Sequence, residues 1–214
     1  MYIELVESLR CPNQHEFTWL VASTLEMAGR DIKRGLLGCP SCGARYPIRD
    51  GIVDFLTRDG TTPLPQSSAL VEPPRDPELA LRVAALLDLT SPGGFVVLAG
   101  EWSRATLSLQ AAVEGVEILA LNPTVSLASG NGISLARTEG SIPIRPGAAR
   151  GIALDQRHAP FAAGAAKALK QFGRLVAPVT AALPPDVEEL ARDGQEWVAT
   201  KRSTTTEPMP LRRG

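Results

Sequence analysis

The sequence predicts an α/β fold in two units, a small β-rich unit followed by a parallel sheet with helices on both faces. Three observations support this prediction. All three cysteines of the 214-residue chain lie between positions 11 and 42, and a segment rich in Gly, Thr, Pro and Ser covers 59–76. From residue 77 onward, short apolar runs alternate with helical patterns, as in βαβ folds. We therefore predict units at 1–58 and 77–202, a linker at 59–76 and a flexible tail at 203–214.

The composition is that of a globular protein and argues against several functions. Apolar residues make up 44% of the chain and charged residues 21%. The formal net charge of −1 argues against a protein that holds nucleic acid mainly by neutralising phosphates, so RNA is the less supported partner. No stretch reaches the roughly 18 apolar residues of a membrane span. The first residues include Glu4 and Glu7 and lack the apolar core of a secretory signal. These features, with abundant Ala, Arg, Gly and Pro, lead us to expect a bacterial cytoplasmic protein.

Short strands are predicted in the first unit. Phe17, Trp19 and Val21 alternate with polar or small residues over 16–22, which is typical of a half-buried strand. A returning strand is predicted at 31–37. Two further strands, at 46–48 and 52–56, surround the turn signal formed by Arg49, Asp50 and Gly51.

Cysteine and histidine spacing in this unit predicts a structural zinc site. Structural zinc takes four thiolate or imidazole ligands, usually from two short loops. Cys39 and Cys42 form one C-x-x-C loop, and Cys11 with His15 forms the other. The alternatives are a redox-active Cys39–Cys42 pair, metal-free core cysteines, or a surface His15 that leaves three thiolates. An odd cysteine count with a C-x-x-C pair indicates a reducing compartment rather than a disulfide scaffold.

Helices and strands alternate in the second unit. A helix is predicted to begin at Pro77, with Asp76 as its N-cap. The continuous apolar run at 95–99 favours a strand that is buried on both faces. The remaining predictions are strands at 116–121, 133–136, 152–154, 174–179 and 196–201, and helices at 103–114, 160–172 and 186–192.

Three motifs of the first unit resemble those of a known family of small zinc-ribbon proteins. They are Leu9-Arg-Cys-Pro12, Gly35-Leu-Leu-Gly-Cys-Pro-Ser-Cys42 and Tyr46-Pro-Ile-Arg-Asp-Gly-Ile-Val-Asp-Phe-Leu56. Members of that family bind and activate tRNA, rRNA and release-factor methyltransferases, and the resemblance covers 1–58. This chain departs from the family at the first loop, where Gln14 and His15 replace a second cysteine. The resemblance implies a ribbon that does no chemistry and covers an apolar surface of a protein partner.

The second unit resembles a class I S-adenosylmethionine-dependent methyltransferase over about 77–200. The segments 141–155 and 168–176 are similar to the family's stretches before its fourth and fifth strands. The glycine-rich cofactor loop is reduced to Gly100, because Trp102 and Arg104 occupy later glycine positions. Asn122 replaces the acidic residue that holds the ribose. Gly100 and Asn122 are therefore the candidate cofactor-binding residues.

Asp155 and His158 follow the predicted fourth strand and are the candidate catalytic residues. Each of these positions also has a structural interpretation: Gly100 as a turn, Trp102 as a packing residue, Asp155 as a cap and His158 as a polar loop residue. We expect a catalytically degenerate methyltransferase-like protein that binds zinc but not S-adenosylmethionine and acts as an accessory, scaffold or partner-binding subunit. The alternative is an active methyltransferase with an atypical cofactor loop.

The ribbon is expected to pack on the second unit of its own chain. We predict that Trp19, Tyr46, Ile48 and Phe55 are its apolar contributors to this contact. The oligomeric state is left open by the sequence.

Overall fold

The structure, a computed structural model, describes residues 1–16, 18–56 and 75–202. The predicted tail, and the predicted linker apart from residues 75 and 76, lie outside the described residues. The strands are β1 (Val21–Ala28), β2 (Asp31–Gly38), β3 (Arg45–Arg49), β4 (Ile52–Asp54), β5 (Phe95–Ala99), β6 (Glu117–Leu121), β7 (Ile133–Arg137), β8 (Ala149–Ala153), β9 (Leu169–Pro178), β10 (Val187–Arg192) and β11 (Glu196–Lys201). The helices are α1 (Pro77–Leu86), α2 (Thr106–Ala112) and α3 (Ala162–Ala168), with 3-10 segments at Ile3–Ser8, Gly100–Ala105 and Gln156–Phe161.

These eleven strands form one sheet in the order β1-β2-β3-β4-β7-β6-β5-β8-β9-β11-β10. The strands from β4 to β9 in this order run parallel, whereas the β1–β4 side and the β11–β10 side are antiparallel. The order β7-β6-β5-β8-β9 is that of a doubly wound sheet, with its reversal between β5 and β8. The predicted α/β fold with a ribbon followed by a Rossmann-like sheet is confirmed. None of the helices in the described ranges is long and apolar enough to span a membrane.

Several predicted elements keep their place and others change. Asp76 caps α1, since its Oδ1 accepts a hydrogen bond from the Leu79 N–H at 3.0 Å. The strand predicted at 16–22 begins only at Val21, and Phe17 lies outside the described residues. The helix predicted at 103–114 is the 3-10 segment at Gly100–Ala105 followed by α2, and the one predicted at 160–172 ends at Ala168, where β9 begins.

The helix predicted at 186–192 is wrong, because this segment is strand β10. The sequence Val-Glu-Glu-Leu-Ala-Arg contains good helix formers, but it pairs antiparallel with β11, from Val187 opposite Lys201 to Arg192 opposite Trp197. Pairing between strands overrides local preference at this edge.

One apolar cluster runs from the ribbon into the parallel sheet. It includes Tyr46, Ile48 and Phe55 from the ribbon, and Ile144 and Phe161 from the second unit. A second cluster, on the opposite face of the sheet, lies under α1 and α2. Tyr46, Ile48 and Phe55 are buried as predicted, but Trp19 is 67% exposed and contributes nothing to this core.

The ribbon joins the parallel sheet through β4. This strand pairs parallel with β7, where Ile52 lies opposite Leu135 and Val53 opposite Ala136. The Phe55 N–H extends the pairing with a 2.8 Å hydrogen bond to the carbonyl of Arg137. Next to this seam, Gly51 has a φ of 75°, and a Cβ there would overlap the side chain of Ser129. The two units therefore pack as one continuous sheet and core.

Candidate metal centre and the carboxyl edge of the sheet

The structure brings all four predicted metal ligands together. The ligand atoms of Cys11, His15, Cys39 and Cys42 lie within 4.8 Å of one another. The C-x-x-C loop is closed by its own backbone: the Cys39 N–H donates to the carbonyl of Ala44, and the Gly43 N–H donates to the carbonyl of Cys39, both at 2.9 Å. Gly43 has a φ of 70°, a conformation that glycine adopts without strain.

Two distances within this group fit a tetrahedral zinc ion. With Zn–S bonds of 2.3 Å and Zn–N bonds near 2.05 Å, tetrahedral geometry places two sulfurs about 3.8 Å apart, and a sulfur and a nitrogen about 3.6 Å apart. The Sγ atoms of Cys11 and Cys42 are 3.7 Å apart. The Sγ of Cys39 is 3.4 Å from the Nε2 of His15. The Nδ1 of His15 contacts the carbonyl of Glu16, which leaves Nε2 with the lone pair that a metal requires.

Two polar side chains surround the thiols. The Tyr46 hydroxyl lies 3.0 Å from the Cys11 Sγ, and the Asn13 amide donates to the Cys42 Sγ at 3.3 Å. Burial raises the pKa of Cys11 to about 11. Burial also acts to raise the pKa of Cys42, but hydrogen bonds from Asn13 and the Ala44 N–H outweigh it and lower that pKa to about 6. A bound zinc ion would hold both sulfurs as thiolates, so binding it releases protons.

At the other site, the structure brings together the four candidates that the sequence placed at strand ends. Gly100 follows β5, Asn122 follows β6, and Asp155 and His158 follow β8, so all four lie at the carboxyl edge of the sheet. His158 is buried, with 4% of its surface exposed. Its Nδ1 lies 2.5 Å from the Asp155 Oδ1, and its Nε2 lies 2.9 Å from the Asn122 Nδ2. The tautomer that satisfies both contacts donates from Nδ1 to the carboxylate and accepts at Nε2 from the Asn122 amide.

The side chain of Asn122 forms its hydrogen bonds with other groups of the protein. Its Nδ2 also donates to the carbonyl of Thr138 at 2.8 Å, and its Oδ1 accepts from the Thr138 N–H at 2.9 Å. Both amide hydrogens are therefore used, by Thr138 and by His158. The residue adopts a φ of 48°, in the left-handed region that Asn tolerates better than most residues.

The position of the Asp155 carboxylate explains why residue 100 is a glycine. Gly100 has a φ of 59°, and a Cβ there would overlap that carboxylate. Asp155 accepts hydrogen bonds from the backbone N–H groups of Glu101, Arg157 and His158 at 3.0–3.1 Å. Burial acts to raise the pKa of Asp155, but the hydrogen bonds from His158 and Glu101 outweigh it and hold the pKa below its ordinary value.

Trp102 is a packing residue. It lies in the cluster beneath α1, and the Arg82 guanidinium lies 5.6 Å from the centre of its ring. The Arg104 side chain is 54% exposed and pairs with Asp76. An open pocket of about 310 Å³ lies beside these residues, above the reversal between β5 and β8. Its lining includes Leu79, Arg82, Trp102, Leu154 and Gln156.

Residues 3–51 match the family model described as Trm112p-like protein. The N-terminal unit is a Trm112p-like zinc ribbon. The match covers the ribbon and stops short of β4, so it says nothing of the parallel sheet. A comparison with curated proteins found no match.

Solved structures that are similar to part of this chain include two methyltransferases. A methyltransferase from Geobacter sulfurreducens is 12% identical, with a TM-score of 0.35 over 58% of this chain and 76% of that chain. The tRNA (m1A58) methyltransferase TrmI from Aquifex aeolicus is 10% identical, with a TM-score of 0.40 over 64% and 74%. A possible exported protein from Bordetella parapertussis is 15% identical, with a TM-score of 0.39 over 66% and 77%. These TM-scores are low, and the Rossmann-like fold is assigned from the strand order and pairing of the chain itself.

Two residues next to these sites were not found by sequence reasoning. Tyr46, beside the zinc ligands of the Trm112p-like ribbon, was predicted only as an apolar contact. Thr138, which holds Asn122 through backbone groups, leaves no signal in the sequence because any residue supplies those atoms. The tyrosine could have been found, since a buried hydroxyl needs a partner.

Proposed function

We propose that this chain is a catalytically degenerate methyltransferase-like protein that acts as an accessory, scaffold or partner-binding subunit. The observation that supports this most is the partly buried chain of hydrogen bonds from Asn122 through His158 to Asp155. It lies at the carboxyl edge of the sheet, beside the reversal of strand order, where open α/β sheets bind their ligands. At this place, polar side chains of the protein form hydrogen bonds with one another.

The residues at this edge do not fit S-adenosylmethionine. Asn122 carries no charge, and both of its amide hydrogens are already donated within the protein. Turning the Asn122 side chain towards a ribose would leave the Nε2 of the buried His158 without its donor, at a cost of about 1–3 kcal/mol. Gly100, the one glycine retained from the loop, is accounted for by its contact with Asp155.

An active S-adenosylmethionine-dependent methyltransferase is the second candidate. The open pocket lined by Arg82, Trp102 and Gln156 favours it, because the pocket lies above the point where the strand order reverses. Its substrate could then be RNA, protein or a small molecule.

Calorimetry with S-adenosylmethionine separates the two candidates. We expect no heat of binding from zinc-loaded protein, whereas a dissociation constant below about 50 μM would overturn the degenerate assignment. A variant that combines Asn122→Asp with His158→Ala restores the acidic residue and removes its internal partner. Binding by this variant alone would identify the hydrogen-bond network as the obstacle.

The Trm112p-like ribbon supports the accessory role. It resembles proteins that cover a methyltransferase surface, and in this chain it pairs through β4 with β7 of its own sheet, so an outside partner would bind another part of the molecule. The zinc-binding thiols fit a reducing compartment, so we assign this role to a bacterial cytoplasm.

A further inference from the structure

The two edges of the eleven-stranded sheet differ in character. Edge strand β10 exposes Glu188, Glu189 and Arg192, and the last two form an ion pair at 2.6 Å. Edge strand β1 exposes Val21 and Leu25, which are 56% and 78% exposed. Charged side chains are a common protection of sheet edges against pairing with another chain, and a long apolar edge lacks this protection. By this criterion β10, which exposes three charged side chains beside Leu190, is better protected than β1, whose one charged side chain is Glu26.

Strand β1 is long and continuous enough to pair along its outer side. It has eight residues, about 27 Å at 3.4 Å per residue. In the described part of the chain, β2 is the one strand that pairs with it. The register with β2 is irregular only around Glu26. It is the same before and after that point, with Val21 opposite Gly38 and Ala28 opposite Asp31.

We propose that β1 pairs with β1 of a second copy of this chain, antiparallel, about a two-fold axis at Thr24. In this register Val21 of each copy lies opposite Met27 of the other, and Leu25 lies opposite Ser23. The two Thr24 residues face each other, a cross-strand pair that contributes favourably in sheets. Glu26 of each copy lies opposite Ala22, so the two acidic side chains do not meet.

A second copy fits better than other arrangements of the same chain. Pairing β1 with β1 is isologous, so it closes into a dimer whose remaining edges are the two charged β10 strands. Pairing β1 with β10 would set the apolar side chains of one edge against the charged side chains of the other, and because it is heterologous it would not close into a dimer. The inference concerns the ribbon end of the sheet, so it does not depend on whether the carboxyl edge binds a cofactor.

Sedimentation of the full-length, zinc-loaded protein at about 50 μM tests the proposal. We expect twice the monomer mass for the native chain and the monomer mass for Leu25→Lys, which places like charges next to the axis. The matched control is Leu190→Lys on β10, a residue that is 50% exposed, and it should remain dimeric. A monomeric native chain, an open polymer, or a dimeric Leu25→Lys variant would each overturn the proposal.

A cross-link tests the register without relying on loss of association. Under mild oxidation, Thr24→Cys should form a disulfide between two copies, because residues at the axis face each other. Glu188→Cys on β10 and the native chain, treated in the same way, should stay uncross-linked. Equal cross-linking of the Thr24 and Glu188 variants would contradict the pairing. Zinc content and thermal unfolding, compared with the native chain, report whether each variant is folded.

Discussion

Tyr46 connects the zinc ligands to the core of the molecule. Its hydroxyl lies 3.0 Å from the Cys11 Sγ, and its ring centre lies 4.9 Å from that of Phe55. Phe55 in turn donates its N–H to Arg137 on the parallel sheet. One buried side chain therefore contacts the metal site at one end and the seam between the two units at the other.

Replacing Tyr46 by Phe should weaken zinc binding while the ring stays in place. The change removes the hydrogen-bond partner of the Cys11 thiolate, and loss of such a partner typically lowers metal affinity by about 10- to 100-fold. Competition with a chromophoric chelator measures this. Tyr2→Phe is the matched control, since it removes the other tyrosine hydroxyl of the chain. Equal zinc affinities for Tyr46→Phe and the native chain would contradict the prediction.

Asp155 should make part of the stability dependent on pH in the acid range. Its folded pKa lies below the ordinary value, so its contribution is present above pH 4 or so and is lost as the pH falls through the folded pKa. We expect Asp155→Asn to be less stable than the native chain at pH 7, and the difference to shrink on acidification. Urea unfolding of both proteins from pH 7 to about pH 3 measures this. Loss of zinc in acid affects both proteins alike, so a difference that stays constant with pH would contradict the assignment.

At the scale of single elements, the cap of α1 carries a separable contribution to stability. Asp76→Ala removes the acceptor for the Leu79 N–H, and loss of such a cap typically costs about 1 kcal/mol. Asp76→Asn keeps the acceptor and removes only the exposed pairing with Arg104, which we expect to matter little. Urea midpoints of the two variants should therefore differ, with the Ala variant lower. Equal midpoints would mean that the cap contributes nothing.

The elements show which parts of the fold the sequence could predict. The cap and first turn of α1 and the buried run of β5 depend on neighbouring residues, and both were predicted correctly. Strand β10 depends on pairing with β11, and Trp19 lies on an outer surface although it alternates like a core residue. Likewise, the zinc ligands follow from spacing, whereas the hydrogen bonds from Asn122 to Asp155 depend on two strand ends, those of β6 and β8, that only the folded sheet brings together.

At the scale of the whole molecule, the two units should stay together when the connection between them is cut. The β4–β7 pairing and the shared apolar cluster hold the ribbon on the sheet. We expect chain cleaved between Thr61 and Ser68 to elute from a sizing column as one species at micromolar concentration. Val53→Asp places a charge at a fully buried position of the seam, so it should separate the cleaved pieces. Separation of the unmutated pieces, each still folded, would show that the ribbon's surface serves an outside partner.

Removing zinc should affect the whole molecule and not the ribbon alone. The sequence alone, with a linker between the two units, predicts that a Cys39→Ser variant loosens 1–58 while the second unit stays folded. Because Tyr46, Ile48 and Phe55 belong to the same cluster as Phe161, we now expect one thermal transition that shifts to lower temperature in this variant. Calorimetric scanning measures it, with Cys42→Ser as a second ligand variant. Two well-separated transitions would indicate independent units.

The strand pairing between β4 and β7 also determines how this ribbon is shared among competitors. A free ribbon is divided among all the enzymes that bind it, in proportion to their abundance and affinity. Here the ribbon and the sheet belong to one chain. This tether keeps the effective concentration of the ribbon at the sheet on the order of millimolar. A competing protein at ordinary cellular concentration would therefore displace little of the sheet from the ribbon. The ratio of ribbon to sheet stays at one to one, whatever the expression levels of other genes.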